Sequence, residues 1–383
     1  MKNNYDVIII GAGSVGVPTA LFLSKKKYKV LIIDKHSSVG QGQNKKAIGG
    51  IRATHSVYGK IKVAQKSIEI FSTWKEKYGG EIGWIKNGYS FPAYTEKDEK
   101  NLKELLKIQQ SYGLNINWIS KEEYLDLVPG INSKNLRGST YSPDDGSASP
   151  MMSIAAFWRK SEEWGAKYQF NETVKDIVYQ NEIFTIKTDK QNYQSKYLIN
   201  AAGAFAKEIG KMLNVDLPVQ PDSHEAAITE PVKRFFEPMV VDIRPSEDSA
   251  NFYFYQNNEG QVIFCITPNP PIYGTDSDST SKFLPQIAKR MLALYPRLKN
   301  LKVRRAWRGQ YPMTPDGIPI IGKDKNIPNF INAVGMCGQG FMLGPGIGDL
   351  IARMVDDNLS DDDKKVLKTF DPDRSFEAVE KFK

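Results

Sequence analysis

Cysteine is almost missing from this chain of 383 residues, with Cys265 and Cys337 the only two. Two lone thiols exclude a disulfide framework and a cysteine-rich metal or iron–sulphur site. They suit a reducing compartment, so a cytoplasmic location is expected. Histidine is as scarce: His36, His55 and His224 show no metal-ligand spacing, and no metal site is expected. No run of about 18 apolar residues occurs, so no transmembrane segment is expected. The first apolar run starts at Tyr5, too early to leave room for a secretory leader. Internal repeats and low-complexity tails are lacking too. The net charge is +8, yet most lysines alternate with acids in stretches such as "TEKDEKNLKELLKIQQ", the pattern of a solvated helix face. Only "SKKKYK" (24–29) and "NLKVRRAWR" (300–308) are locally basic, so nucleic acid is not the expected partner.

Glycine, in contrast, is concentrated. The chain opens with "YDVIIIGAGSVGVPTALFLSKKKYKVLIIDK". Tyr5–Ile10 is a β-branched apolar run, the pattern of a buried strand. Gly11, Gly13 and Gly16 follow, with Ser14 and Val15 inside the turn. Val15–Lys25 reads as a helix with Pro18 in its first turn, where a missing N–H matters little. Lys29–Ile33 reads as a second strand, closed by Asp34 and Lys35. Such glycines permit a tight turn and the close approach of a pyrophosphate, and the helix start offers it free N–H groups and a positive dipole. Asp34 stands eighteen residues beyond Gly16, where it can accept ribose hydroxyls and repel a 2′-phosphate. The unit predicts a dinucleotide and does not separate NAD from FAD.

A second concentration lies in "GMCGQGFMLGPGIGDLIARM", Gly335–Met354, with six glycines in fourteen residues ahead of a helix read over Asp349–Val355. Glycine loses more freedom on ordering than any other residue, so something must approach this backbone closely. Either a ligand lies against it or the glycines let helices pack.

Between the clusters, "HSSVGQGQNKKAIGGIRATHS" (36–56) is a polar loop, long for a simple NAD-binding domain, as if an extended ligand lay across it. Helices are read over Gly59–Lys77, Glu96–Tyr112, about 150–164 and Leu284–Tyr295. Residues 171–206 read as a β-meander whose strand Tyr197–Asn200 stops at Ala201, Ala202 and Gly203. "FYFYQNNEGQVIFCITP" reads as a hairpin turning near Asn258–Gly260, its alternation putting Tyr253 and Tyr255 on one face. The expected fold class is α/β (α+β), a discontinuous Rossmann-like nucleotide domain over 1–83, 145–215 and 305–383. A substrate domain with a large mixed or antiparallel sheet is expected over 84–144 and 216–304.

Four stretches together resemble the D-amino-acid-oxidase-type FAD oxidoreductases: "DVIIIGAGSVGVPTA…VLIIDK", "YLINAAGAFAKEI", "RAWRGQYPMTPDGIPIIG" and "NAVGMCGQGFMLGPGIGDLIA". They run from end to end of the chain in the family's order. "GGIRATHS" and "GQYPMTPD" point further, to the branch of the sarcosine oxidase β-subunit and the dye-linked L-proline dehydrogenase β-subunit. The resemblance implies FAD under an antiparallel sheet. It puts Gly11, Gly13 and Gly16 at the pyrophosphate, Asp34 at the adenosine ribose and the Val174 backbone at the adenine. It implies that the loop with Asn44, Lys45, Ala47, Gly49 and Gly50 runs beside the flavin. Gly338, Gln339, Gly340, Phe341 and Met342 would lie under its pyrimidine edge, with the helix dipole stabilising the reduced anion.

The chain departs from the family pattern at several points. Lys27 replaces a helix-ending glycine. Gly309 stands about where some members bind FAD through cysteine, so non-covalent FAD is expected. Glycine oxidases tend to have arginine where Tyr311 stands, and monomeric sarcosine oxidases have lysine where Met342 stands. With both of these carboxylate clamps missing, Arg52 is the remaining candidate, able to hold a carboxylate bidentately. Tyr253 and Tyr255 are candidates to roof the site, Tyr311 to hydrogen-bond the substrate, and His55 to lower the amine's pKa or hold a second cofactor. The implied activity is oxidation of a C–N bond in a small amino acid or secondary amine (sarcosine, L-proline, glycine or opine-like). Hydride passes to flavin N5 and the imine hydrolyses. The branch also implies a hetero-oligomer with an electron-transfer subunit, with FMN possible at the interface; direct reaction with oxygen is the rival. A 2-hydroxy acid dehydrogenase, a tRNA-modifying flavoenzyme and a non-catalytic flavoprotein subunit remain alternatives.

Overall fold

The computed structural model describes residues 3–377 and 379–380. Two eight-stranded sheets organise it. The first is built on parallel strands in the order Phe330–Val334, Asn192–Asn200, Asn4–Ile10, Val30–Ile33 and Lys167–Gln169, with Ile320–Lys323 antiparallel at one edge. Residues 7–10 and Val30–Ile33 are apolar on both faces because both are covered. Val7 and Ile9 face a core shared with helices, while Ile8 and Ile10 face a second core containing Val174, Ile177 and Phe184. This is the reason Tyr5–Ile10 reads as an unbroken run rather than an alternation. The predicted meander is present as Val174–Gln180, Ile183–Thr188 and Asn192–Asn200.

The second sheet runs Val303–Met313, Gln220–Pro231, Gln261–Pro268, Ser249–Gln256, Met239–Asp242, Tyr89–Ala93, Gly138–Ser142 and Asn117–Ile119. All its pairings are antiparallel except that of Met239–Asp242 with Tyr89–Ala93. One face packs on helices Lys121–Leu127 and Phe283–Leu294 through Tyr124, Phe252, Phe254, Ile287 and Tyr295. The other carries Tyr89, Phe91, Met239 and Tyr255 and faces the first unit.

Among the described residues four α-helices, Glu96–Ser111, Lys121–Leu127, Pro150–Glu163 and Asp361–Phe370, start at a capping side chain. The Thr95 hydroxyl accepts from the Asp98 amide in a capping box that opens Glu96–Ser111, and Ser149 with Pro150 opens Pro150–Glu163. The last long helix corrects the sequence reading. It spans Gly340–Val355, beginning nine residues before Asp349, and contains Pro345. Proline breaks a helix by removing a hydrogen bond and crowding the preceding turn, but here tertiary packing overrides propensity. Gly346 N–H donates to Ser67 Oγ of helix Tyr58–Tyr78 at 2.9 Å. A Cβ on Gly344 would stand 1.9 Å from the Ser14 carbonyl oxygen, on Gly346 2.2 Å from that of Val63, and on Gly348 2.7 Å from the Pro18 backbone. Three of the six clustered glycines therefore serve helix packing, which binds this helix to Gly16–Lys25 and Tyr58–Tyr78. Among the described residues no helix is long and apolar enough to cross a membrane.

Candidate active site

The parallel strands end together. Ile10 is level with Ile33 and with Asn200, and Asn200 with Asn332. From strand Asn4–Ile10 the sheet continues to Val30–Ile33 on one side and Asn192–Asn200 on the other, so the Gly11 turn sits at the point where the strand order reverses. Open α/β sheets hold ligands in that crevice. A cavity of about 1470 Å³ opens there and extends to the second sheet. Ordinary small-molecule sites hold roughly 300–1,000 Å³, so a dinucleotide and a substrate both have room.

Gly11, with φ +109°, lets the turn pass the Ala201 carbonyl, which an added Cβ would meet at 2.4 Å. Gly13 faces open space, with no atom within 4 Å of a built Cβ. Gly11, Gly13, Ser14 and Val15 line the cavity, as do Ala201, Ala202, Gly203 and Val174. Asp34 is fixed by two amides, Ala12 N–H on Oδ2 at 2.7 Å and His36 N–H on Oδ1 at 2.8 Å. A carboxylate has about four lone-pair sites, so capacity for ribose hydroxyls remains. Lys35 lines the same end, with Nζ 3.2 Å from the Phe205 ring centre, and burial holds its pKa below the ordinary value. These features fit a dinucleotide's adenosine and pyrophosphate.

Asn44, Ala47, Gly49 and Gly50 form a second wall. Asn44 ties this loop to the glycine turn, accepting from Ser14 Oγ at 3.0 Å and donating to the Pro150 carbonyl at 3.0 Å. A third wall is Gly338, Gln339, Gly340, Phe341 and Met342. Among the described residues no side chain caps this helix start, and its first turn holds no acid. The Gly340, Phe341 and Met342 N–H groups thus open the helix without intrahelical acceptors, and the positive dipole end meets the cavity.

Arg52, Tyr253 and Tyr311 also reach the cavity. Arg52 is 8% exposed, and its Nη1 donates to the Thr54 carbonyl and stands 3.3 Å from His55 Nδ1. The hydroxyls of Tyr253 and Tyr311 are 2.7 Å apart, and burial raises both well above the ordinary phenol value. Tyr311 lies over Gly338, whose φ is +79° and where a Cβ would come 2.1 Å from the ring.

Four predicted residues do not line the cavity. Gly16 is a packing residue, where a Cβ would stand 1.9 Å from the Gly11 carbonyl. Lys45 is exposed and donates to Gln41 Oε1 at 3.3 Å. Tyr255 shares the Tyr253 face, but its hydroxyl donates to the Ile48 carbonyl and its ring packs with Tyr89, Phe91 and Met239. His55 is fully buried beside Arg52. Burial, with the Arg52 and Lys60 charges, pushes its pKa well down, so the ring is neutral. Its Nδ1 faces Arg52, and the ring is not among the residues that line the cavity.

Residues not singled out from the sequence complete the walls. His224 stacks on Tyr311 with ring centres 3.7 Å apart, and its Nε2 is 3.1 Å from Asp222 Oδ2. Asp222 Oδ1 accepts the Ile272 amide at 2.7 Å, anchoring the loop whose Tyr273 borders the cavity. Polar residues two apart in the strand Gln220–Pro231 were the available signal for Asp222 and His224. Gln43 and Gln310, bonded to each other, join the loop to the second sheet.

A family model described as DAO, FAD dependent oxidoreductase, matches residues 6–354. Glycine oxidase of Geobacillus kaustophilus is 23% identical, covering 93% of this chain and 94% of its own. Mitochondrial sarcosine dehydrogenase of Mus musculus is also 23% identical, but the chain spans only 40% of that protein. The crystal structure of L-proline dehydrogenase from P. horikoshii superimposes with a TM-score of 0.90 at 29% identity, covering 97% of each chain. The glycine turn, the Asp34 cradle and the uncapped helix start agree with that match, and the chain belongs to the DAO family of FAD-dependent oxidoreductases.

Proposed function

We propose that this oxidoreductase acts on the C–N bond of a small α-amino acid with a primary or secondary amine, such as sarcosine, L-proline, glycine or an opine-like compound. The observation that carries the reading is the meeting of Arg52, the Tyr253–Tyr311 hydroxyl pair and the Gly338–Met342 helix start in one cavity. FAD supplies the hydride acceptor. Gly11, Gly13, Ser14 and Val15 hold its pyrophosphate, Asp34 its ribose, and the loop 44–50 with Gly338–Met342 its ring system. Arg52 binds the substrate carboxylate, a charge-assisted contact that a walled cavity strengthens. The tyrosine hydroxyls, both protonated, donate to or accept from the substrate's polar groups and orient its α-carbon. Phe91, with its ring centre 5.9 Å from the Arg52 guanidinium, keeps water from that side. Hydride loss from the α-carbon requires a neutral amine, so the substrate reacts in that form.

Retention of FAD is non-covalent in this reading. Gly309 carries no nucleophile, and the Cys337 thiol, buried and 3.1 Å from the Gly335 carbonyl, is raised and stays protonated. The similarity to a proline dehydrogenase favours a secondary amino acid, with delivery of electrons to a partner protein rather than to oxygen.

The test is anaerobic. Purified yellow protein is mixed in turn with L-proline, sarcosine, glycine, D-amino acids and 2-hydroxy acids while absorbance near 450 nm is followed. Bleaching by one amine class is expected, and slow recovery of colour in air would mark a dehydrogenase. Bleaching by hydroxy acids alone would replace this reading with C–O oxidation.

A further inference from the structure

Strand Met239–Asp242 carries a valine on each of its faces, and the two have different surroundings. Val240 is fully buried against the helices behind the second sheet. Val241 is only half-buried, as is Ile243 just beyond the strand, and both line the cavity. Met239 shares their face and lines it too. Helix Glu96–Ser111 closes this end. Its Leu102 and Leu105 lie three positions apart, on one side of the helix, and both reach the cavity. Leu102 packs in one cluster with Met239, Val241, Ile243 and Tyr253. Beyond them Asn251 is half-buried and Asn101 exposed, and both line the same cavity, so this end reaches the surface.

Strand register joins this apolar end to the polar wall. Val241 pairs with Tyr253, and Tyr253 with Cys265. Further across the sheet Asp222 pairs with Tyr311. The sheet face over the cavity is therefore divided. Tyr311, His224 and Asp222 make one half polar, while Met239, Val241 and Ile243 make the other apolar. The Tyr253 hydroxyl, 2.7 Å from that of Tyr311, stands at the border. None of the five apolar side chains belongs to the glycine turn, the loop 44–50 or Gly338–Met342, the walls read as holding FAD. Glycine or sarcosine seated at the tyrosine pair would leave the apolar half wet, which is unfavourable.

We propose that the apolar end is a substituent chamber: the preferred substrate carries an apolar group longer than a methyl on its α-carbon or amine nitrogen, and Leu102, Leu105, Val241 and Ile243 select it. The proposal rests on the reading of the cavity as a site of amino-acid oxidation, and narrows it. The charged end of the amino acid stays in the polar half, and the substituent displaces water from the apolar half. One methylene more or less in such a pocket changes the specificity constant by roughly tenfold or more.

Two measurements on the FAD-loaded protein test this. The first is calorimetric binding of acetate, butanoate and hexanoate, which needs no turnover. The Kd should fall roughly three- to fourfold for each added methylene. A Kd independent of chain length overturns the proposal. The second is the second-order rate constant of anaerobic bleaching. Glycine, alanine and both enantiomers of leucine form one series, sarcosine and N-butylglycine the other. Leucine or N-butylglycine should exceed glycine and sarcosine at least about tenfold, and the series that gains identifies the atom bearing the group. Glycine and sarcosine reacting as fast as the longer compounds overturns the chamber and leaves amine oxidation standing. Bleaching by no amine removes the amine reading, and the chamber's role with it. Neither arm needs a variant to fold. Val241→Phe, which enlarges a half-buried side chain into the chamber, should lower the long-to-short ratio at least about tenfold in both measurements. A folded Val241→Phe protein with the wild-type ratio overturns the assignment of the chamber to these residues.

Discussion

At the scale of single residues, the site depends on places where a side chain has no room. Gly338 holds φ +79° beneath the Tyr311 ring. A left-handed conformation forced on alanine costs about 1–3 kcal/mol, and here the methyl also strikes the ring. Gly338→Ala should displace Tyr311, break its bond to Tyr253 and raise KM for the amino acid at least about tenfold, with FAD partly lost on gel filtration. Steady-state kinetics with added FAD reads the first effect, and an unchanged KM would remove Tyr311 from the substrate wall. Single residues also mark how far the sequence could be read. Glycine spacing and Asp34 carry their chemistry in their order along the chain, and the structure lines a cavity with most of them. Strand alternation assigned Tyr253 and Tyr255 to one face correctly, but a face does not give depth. Tyr253 reaches the cavity, while the Tyr255 hydroxyl ends at the Ile48 carbonyl. His55 was legible as a rare residue near Arg52, not as a buried one, because burial comes from elements far along the chain.

At the scale of elements, capped helices were the most legible. Glu96–Ser111 and Pro150–Glu163 lie within a residue or two of their sequence readings, since Thr95 and Ser149 announce their starts locally. Helix Gly340–Val355 was legible only in its second half. Pro345 and the glycines argue against a helix locally, and only the surfaces of Gly16–Lys25 and Tyr58–Tyr78 explain them. Gly344→Ala tests this. Its Cβ meets backbone at the glycine turn, so relief requires the two elements to part. Overpacking of this kind costs typically 1–3 kcal/mol. The expected outcome is a lower melting temperature in the apo and FAD-loaded forms and weaker FAD retention. Gly340→Ala, whose Cβ would sit at an ordinary 3.5 Å from Met336, should melt like wild type in the apo form. Equal melting of the two variants would count against the packing role.

At the scale of the whole molecule, the two sheets meet through few polar ties. Gln310 on strand Val303–Met313 bonds Gln43 and also donates to the Thr275 carbonyl at 2.8 Å and Ser277 Oγ at 2.9 Å. Lys46 reaches Ser277 Oγ at 2.7 Å, and Trp307 Nε1 donates to the Lys46 carbonyl at 2.7 Å. Gln310→Ala should free the loop 269–282, speed its cleavage in limited proteolysis and raise KM more than it lowers kcat. Cleavage at the wild-type rate would show that the loop is held elsewhere. The alternation of nucleotide-type and sheet-rich stretches was visible in the sequence. The pairing of Met239–Asp242 with Tyr89–Ala93 was not, because strand partners that distant leave no local trace.

The pairing of strand Asn4–Ile10 with Asn192–Asn200 has a consequence in time. During synthesis the first strand leaves the ribosome with Val30–Ile33 as its early neighbour and waits for its other partner until about half the chain has followed. Strand Phe330–Val334 and the uncapped helix start arrive later still. Contacts this distant in sequence form slowly, so the apolar edge of Asn4–Ile10 is exposed for much of translation. The cavity exists only once nearly the whole chain has been made, and a nascent chain halted before Gly340 has a glycine turn but no floor on which to seat its ligand.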